Sequence, residues 1–318
     1  MAIVLFALAA AVGVTNGAAA QTYPSKPIRI LVGTPPGGGA DFVARSLAPR
    51  LSESMGVSVV VDNRAGANGV VASELLARAS PDGYTLKVNI FGDVINPSLM
   101  KLNFDFLKDF AFVTQVAESQ NILAAHPSFP AKGVRDLLAL SKKNPGAISF
   151  GTQGIGSSGH LSGELFQYMT GVKWVHVPYK GGALALVDLM AGQISISFGN
   201  IPTMIQQVRA GKLRALAVTG AKRTAAAPDI PTVGESGVPG FAVSNWFGVS
   251  ATGRTPHDIL QRLNGEIARA MKLPEVRTAF QNAGADPVET TIEQYNAFIQ
   301  VEYAKWSKVI KAAGIKGE

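Results

Sequence analysis

From Ile28 onward, short apolar runs alternate with stretches in which apolar residues return every third or fourth position. Ile28–Val32 reads as a strand. After it Val43, Leu47, Leu51 and Met55 recur at helical spacing, which predicts a helix over residues 41–55 kinked at Pro49. Residues 57–62 form a β-branched strand, 63–69 a turn, 70–78 a helix, and Pro81-Asp82-Gly83 leads into a strand over 85–89. This β-α-β-α-β order predicts a doubly wound, mainly parallel sheet flanked by helices.

The rhythm then restarts. Strands at 122–125, 147–150, 174–178, 194–198 and 213–218 alternate with helices at Val134–Lys143, 160–170, 183–191 and 202–210. The segment 221–240 is loop-rich, with Pro228, Pro231 and Pro239. A strand over 242–249 and the helix His257–Lys272 follow, the latter opened by Thr255 as cap and Pro256 as first helical residue. The last helix, Ile292–Ala313, carries Ile292, Tyr295, Phe298, Ile299, Trp306 and Ile310 on one face, a stripe expected to pack into the core. The two halves share a design without detectable sequence repetition.

With 318 residues the chain suffices for two domains, and 47% hydrophobic against 16% charged residues excludes global disorder. The net charge of +7 is scattered, without basic runs or interleaved aromatics, so it suits steering of small anions and not a nucleic-acid surface. The absence of cysteine removes disulfides, thiolate catalysis and cysteine-bound metal together. Residues 1–14 are apolar and uncharged, and Ala18-Ala19-Ala20 offers a small-residue cleavage site before Gln21. Residues 1–20 are therefore expected to be a signal peptide that sends the chain to the periplasm, although no Lys or Arg precedes the apolar stretch.

The chemistry concentrates in two glycine-dense turns. Thr34-Pro35-Pro36-Gly37-Gly38-Gly39-Ala40-Asp41 follows the first strand, and Gly151-Thr152-Gln153-Gly154-Ile155-Gly156-Ser157-Ser158-Gly159-His160 follows the strand at 147–150. Each sits where a helix begins, so unpaired backbone N–H groups and the positive end of the helix dipole favour an anion there. Gly154-x-Gly156-x-x-Gly159 matches the dinucleotide fingerprint, but Pro178, Tyr179 and Lys180 occupy the place of the ribose-binding acid. The first turn lacks the Lys-Ser/Thr of a phosphate-binding P-loop and ends instead in Asp41, a helix cap or a carboxylate that positions a guest. Ser157, Ser158 and His160 lack nucleophile–base spacing, and their hydroxyls are better placed as donors to a carboxylate. His126, His160, His176 and His257 show no metal-ligand spacing, so neither metal nor cofactor is expected. Parallel sheets bind ligands beyond the carboxyl ends of their strands. That rule adds Phe91, Trp246 and the turn Pro178-Tyr179-Lys180, with Tyr179 as a wall and Lys180 as a cation for a carboxylate.

Several further motifs accompany these turns: Lys26-Pro27-Ile28, Asn63-Arg64-x-Gly66-Ala67-x-Gly69, Pro81-Asp82-Gly83-Tyr84-Thr85-Leu86, Pro178-Tyr179-Lys180-Gly181-Gly182 and Pro231-Thr232-Val233-Gly234-Glu235. Together they resemble the Bug/TctC periplasmic solute receptors of tripartite tricarboxylate transporters, from about Pro24 to the C-terminus. The resemblance implies a two-lobed periplasmic-binding-protein fold of the Venus-flytrap kind. One lobe is expected from 23–122 plus 243–318 and the other from 123–242, with crossovers near 121–125 and 240–245. It implies a monomeric, non-enzymatic receptor that captures a small organic mono- or dicarboxylate and delivers it to membrane subunits. A sensor for a signalling partner, or an enzyme using the 151–160 turn, are the alternatives. By resemblance the ligand loops fall on Pro36, Gly37, Gly38 and Asp41 in one lobe and on Gln153, Ser157, Ser158 and His160 in the other. Asn68 and Asn200, in turns that follow strands, complete the candidate set. The chain departs from the family where it has Ser250 and Ala251 in place of a usual proline, and in carrying Pro49.

Overall fold

The computed structural model describes residues 23–316, so the expected signal peptide at 1–20 lies outside the described residues. The first half builds β1 (Ile28–Val32), α1 (Gly39–Met55), β2 (Val59–Asn63), α2 (Val70–Ala77), β3 (Thr85–Ile90) and α3 (Phe91–Leu99). β1 runs between β2 and β3, parallel to both, with Ile30 beside Val61 and Leu86. After β4 (Phe110–Ala125) a second unit follows: α4 (Val134–Lys143), β5 (Ser149–Thr152), α5 (Ser158–Thr170), β6 (Val175–Pro178), α6 (Gly182–Met190), β7 (Ile196–Asn200), α7 (Ile201–Arg209) and β8 (Arg214–Val218). Here β5 is the central parallel strand, flanked by β6 and β7. The chain closes with β9 (Ser244–Thr252), α8 (His257–Lys272), α9 (Pro274–Asn282), β10 (Asp286–Pro287) and α10 (Ile292–Ala313). No helix among the described residues is long and apolar enough to cross a membrane.

β4 joins the two parallel units. The sheet order is β2-β1-β3-β9-β4-β7-β5-β6, with β8 and β10 also paired to β4. Through Gln120, β4 runs antiparallel to β9; from Asn121 it runs antiparallel to β7. Its 16 residues reach roughly 50 Å at the usual rise per residue. The return connection passes at Val243, whose N–H still donates to Thr219 while β9 begins one residue later. The hydrophobic pattern predicts only the last few residues of this strand. Phe110 to Ala117 are buried on nearly every position, so no polar alternation marks them.

α1 presents Val43, Leu47 and Leu51 to a core shared with α8, α9 and the β1–β3 sheet, and runs on through the exposed Pro49. A second core lies between α3, α5 and α10 and contains Phe91, Phe166, Trp246, Tyr295 and Trp306. α10 delivers its expected stripe there, with Tyr295, Ile299 and Trp306 at 0% exposure. α3 is held by a fully buried ion pair, Lys87 Nζ to Asp93 Oδ2 at 2.5 Å. Asp93 also accepts from the Ile90 N–H and the Ser73 hydroxyl. This carboxylate fixes the backbone at Ile90–Gly92, which borders the cavity described next.

Candidate functional site

The first glycine turn is tied to its own helix. Gly37 adopts φ +85°, the left-handed region that glycine enters without strain. Its N–H donates to Asp41 Oδ2 at 2.9 Å. The same carboxylate accepts from Arg45 Nε at 2.9 and 3.0 Å and from Asn63 Nδ2 at 2.9 Å. The Arg45 hydrogen bond is the largest influence on Asp41; with Gly37 and Asn63 it outweighs burial and brings the pKa down to about 2. The helix cap is Gly38, so Asp41 is neither a cap nor a guest-facing group. It sits at the third helical position and clamps the turn.

The second turn repeats this device with a neutral group. Gly156 donates its N–H to His160 Nδ1 at 3.1 Å, again from the third helical position back across four residues. Ser157 caps α5, accepting from the His160 N–H while its hydroxyl donates to the Gly154 carbonyl at 2.7 Å. His160 stacks on His176 with ring centres 4.0 Å apart, and His176 Nε2 meets the Thr152 hydroxyl at 2.7 Å. Burial drives the His160 pKa down to about 3, the neighbouring His176 adding to it, and burial alone brings His176 down to about 4. Both rings are neutral at physiological pH. Ser158 Oγ accepts from Asn121 Nδ2 at 3.0 Å and Asn245 Nδ2 at 2.9 Å. Internal partners thus engage both oxygens, the Ser157 hydroxyl as donor to Gly154 and Ser158 Oγ as acceptor from two amides.

The helix amides beyond these clamps remain open. In α1 the first backbone bond is from Phe42 to Gly38, which leaves the N–H groups of Gly39 and Ala40 without an intrahelical acceptor. In α5 it is from Leu161 to Ser157, which leaves Ser158 likewise. These two ends meet at one inner compartment of about 240 Å³, bordered by Gly39, Ala40, Gly156, Ser157 and Ser158 together with Thr34, Asn68, Phe91, Gly92, Gln153, Asn200 and Asn245. Thr34 Oγ1 and Gln153 Oε1 are buried there without partners. An outer compartment of about 450 Å³ adjoins it, sharing Gly39, Asn200, Asn245 and Phe247 and adding Gly37, Gly38, Phe42, Pro202 and Thr203. Among the described residues, none bearing a charge lines either compartment. No group of three His, Asp or Glu among them is placed to hold a metal ion.

The remaining candidates divide between the compartments and the rest of the fold. Lys180 is exposed and Pro178 likewise, away from both compartments. The Tyr179 hydroxyl donates to Asp188 at 2.6 Å, and its ring packs in the second half's core. Pro36 is exposed on the first turn and borders neither compartment. The Phe91 ring meets Trp306 edge-on at 5.1 Å, so this residue borders the inner compartment from the core. The Trp246 side chain is fully buried against Tyr295 and Phe298. It nonetheless borders the inner compartment, where its Nε1 is buried without a partner, and its neighbours Asn245 and Phe247 border both compartments. Thr34 and Gly39, inside the quoted glycine turn, also join the lining.

Residues 43–315 match the tripartite tricarboxylate transporter family receptor (TctC). Protein BugT of Bordetella pertussis is 37% identical over 310 residues, covering 96% of this chain and 95% of that protein. The solved structure of R. palustris Rpa4515 with adipate is 36% identical with a TM-score of 0.76, covering 93% of this chain and all (100%) of that one. MatC (Rpa3494) from Rhodopseudomonas palustris with bound malate is 29% identical with a TM-score of 0.71, covering 91% and 100%. Fold and sequence agree, and the chain belongs to the TctC family of tripartite tricarboxylate transporter receptors, a family of periplasmic solute-binding proteins.

Proposed function

We propose that this protein is a periplasmic receptor that captures a small organic carboxylate between two lobes, 23–122 plus 243–318 and 123–242, and delivers it as a monomer to the membrane subunits of a tripartite transporter. One observation carries the reading: helix ends from both halves open on one compartment that no charged side chain lines among the described residues. A carboxylate there meets backbone N–H groups, the Thr34 hydroxyl and two positive dipole ends. Each hydrogen bond to a charged guest contributes about 1.5–3 kcal/mol. Three or four of them approach the roughly 8 kcal/mol of a micromolar site before association costs. The adipate and malate bound to Rpa4515 and MatC support the ligand class.

The same geometry supports capture without turnover. Ser157 is spent on Gly154, and the His160 ring nitrogen nearest the turn holds Gly156, so these two are not paired as nucleophile and base. Titration calorimetry against a panel of carboxylates, sugars and polyamines tests the reading. Saturable binding of a carboxylate is expected. Silence across the carboxylates with clear binding of a sugar or polyamine overturns it.

A further inference from the structure

We propose that the guest carries one carboxylate on an apolar body, with the carboxylate in the inner compartment and the body in the outer one. This rests on the carboxylate-receptor reading above and narrows it. The two compartments differ in what they offer. The inner one has open helix amides from α1 and α5 and an unpartnered Thr34 hydroxyl. The outer one is walled by Phe42, Val43, Pro202, Phe247, Ala283 and Ala285.

The polar groups of the outer compartment are largely committed. The Gly37 N–H is held by Asp41 and the Gly38 N–H by the Pro35 carbonyl. The Ser119 hydroxyl donates to the Gly284 carbonyl at 3.0 Å, and Asn245 Nδ2 donates to Ser158. α7 also begins here, but its second residue is Pro202, which has no N–H to give. Asn200, Thr203 and the Gly39 N–H at the border with the inner compartment are what remains. No cation among the described residues lines the space. A second ionised carboxylate would lose its hydration there with too few donors to replace it, whereas an alkyl or aryl body gains from leaving water.

Matched ligands test this on the full-length mature protein. Calorimetry with hexanoate against adipate, and benzoate against terephthalate, compares one carboxylate with two on the same body. The monoacid is expected to bind at least tenfold more tightly in each pair. Tighter binding of the diacids overturns this inference and leaves the receptor reading intact, whereas silence from all four together with binding of a non-carboxylate removes the receptor reading itself. A Thr203→Arg variant, checked for a wild-type unfolding transition, places a guanidinium in the outer compartment. Adipate affinity is expected to rise about tenfold in it while hexanoate affinity does not. An unchanged adipate affinity in the folded variant overturns the placement of the body beside α7.

Discussion

At the residue scale, the candidate site is built from clamps more than from contacts. Asp41 is 3% exposed and holds the Gly37 turn, Arg45 and Asn63 at once. Asp41→Ala leaves the Gly37 N–H and the Asn63 amide without their acceptor. It is expected to cost about 1–3 kcal/mol of stability, with weaker ligand binding, read by thermal denaturation and calorimetry. The histidine pair gives a pH signature. His160 and His176 are held neutral in the fold, at about 3 and about 4, against an ordinary value of 6.5. Below pH 6.5 the unfolded chain binds protons that the native chain refuses, so stability is full above that pH and falls as pH drops through the folded values. Glu164 stands 3.7 Å from His160, and burial raises its pKa, so it gains stability on acidification and opposes the trend near its own range. Melting temperature should therefore fall from pH 6.5 to 5, and the slope should flatten in His176→Phe, which retains an aromatic ring facing Phe150. A flat wild-type profile refutes the assignment. The glycine turns were legible in the sequence because glycine and a following helix leave a compositional trace. The clamps were not, since a serine or histidine looks the same whether it faces a guest or its own backbone.

At the element scale, the alternation of strands and helices was readable wherever one face was polar. α3 and α9 escaped for different reasons. α3 contains Gly92 and Pro97, both helix-breaking by local preference, and is held by Phe91 on Trp306 and by the Lys87–Asp93 pair. α9 buries only Val276 and Phe280, too few apolar positions to mark a period. The ion pair makes α3 the element most sensitive to a single change. Asp93→Ala strands Lys87 at 0% exposure without a counter-charge and is expected to cost about 3–5 kcal/mol. Urea titration reads that loss as a lower midpoint. Because Gly92 borders the inner compartment, ligand affinity should fall with it. A wild-type midpoint would mean that packing around Trp306 alone holds α3.

At the scale of the whole molecule, Ser158 links the binding helix to both crossover strands. Its Oγ accepts from Asn121, the residue at which β4 changes partners, and from Asn245 on β9. The open N-terminus of α5 is thereby fixed relative to the two connections about which the halves must turn if they close. On the proposed reading a guest would be held by amides of α1 and α5 together, so that binding and any closure of the halves would share their free energy. Two measurements follow from that coupling. At ligand concentrations a hundredfold above Kd the protein should gain about 2.7 kcal/mol against unfolding, and its radius of gyration in solution scattering should shrink. Ser158→Ala removes the shared acceptor while leaving the α5 cap at Ser157 in place. It should lower affinity and reduce the ligand-induced compaction, with the unliganded melting temperature changed far less than in Asp93→Ala. Compaction of wild-type size in that variant would show that the halves move about β4 and β9 independently of the Ser158 bridge, and that the bridge serves only to seat α5.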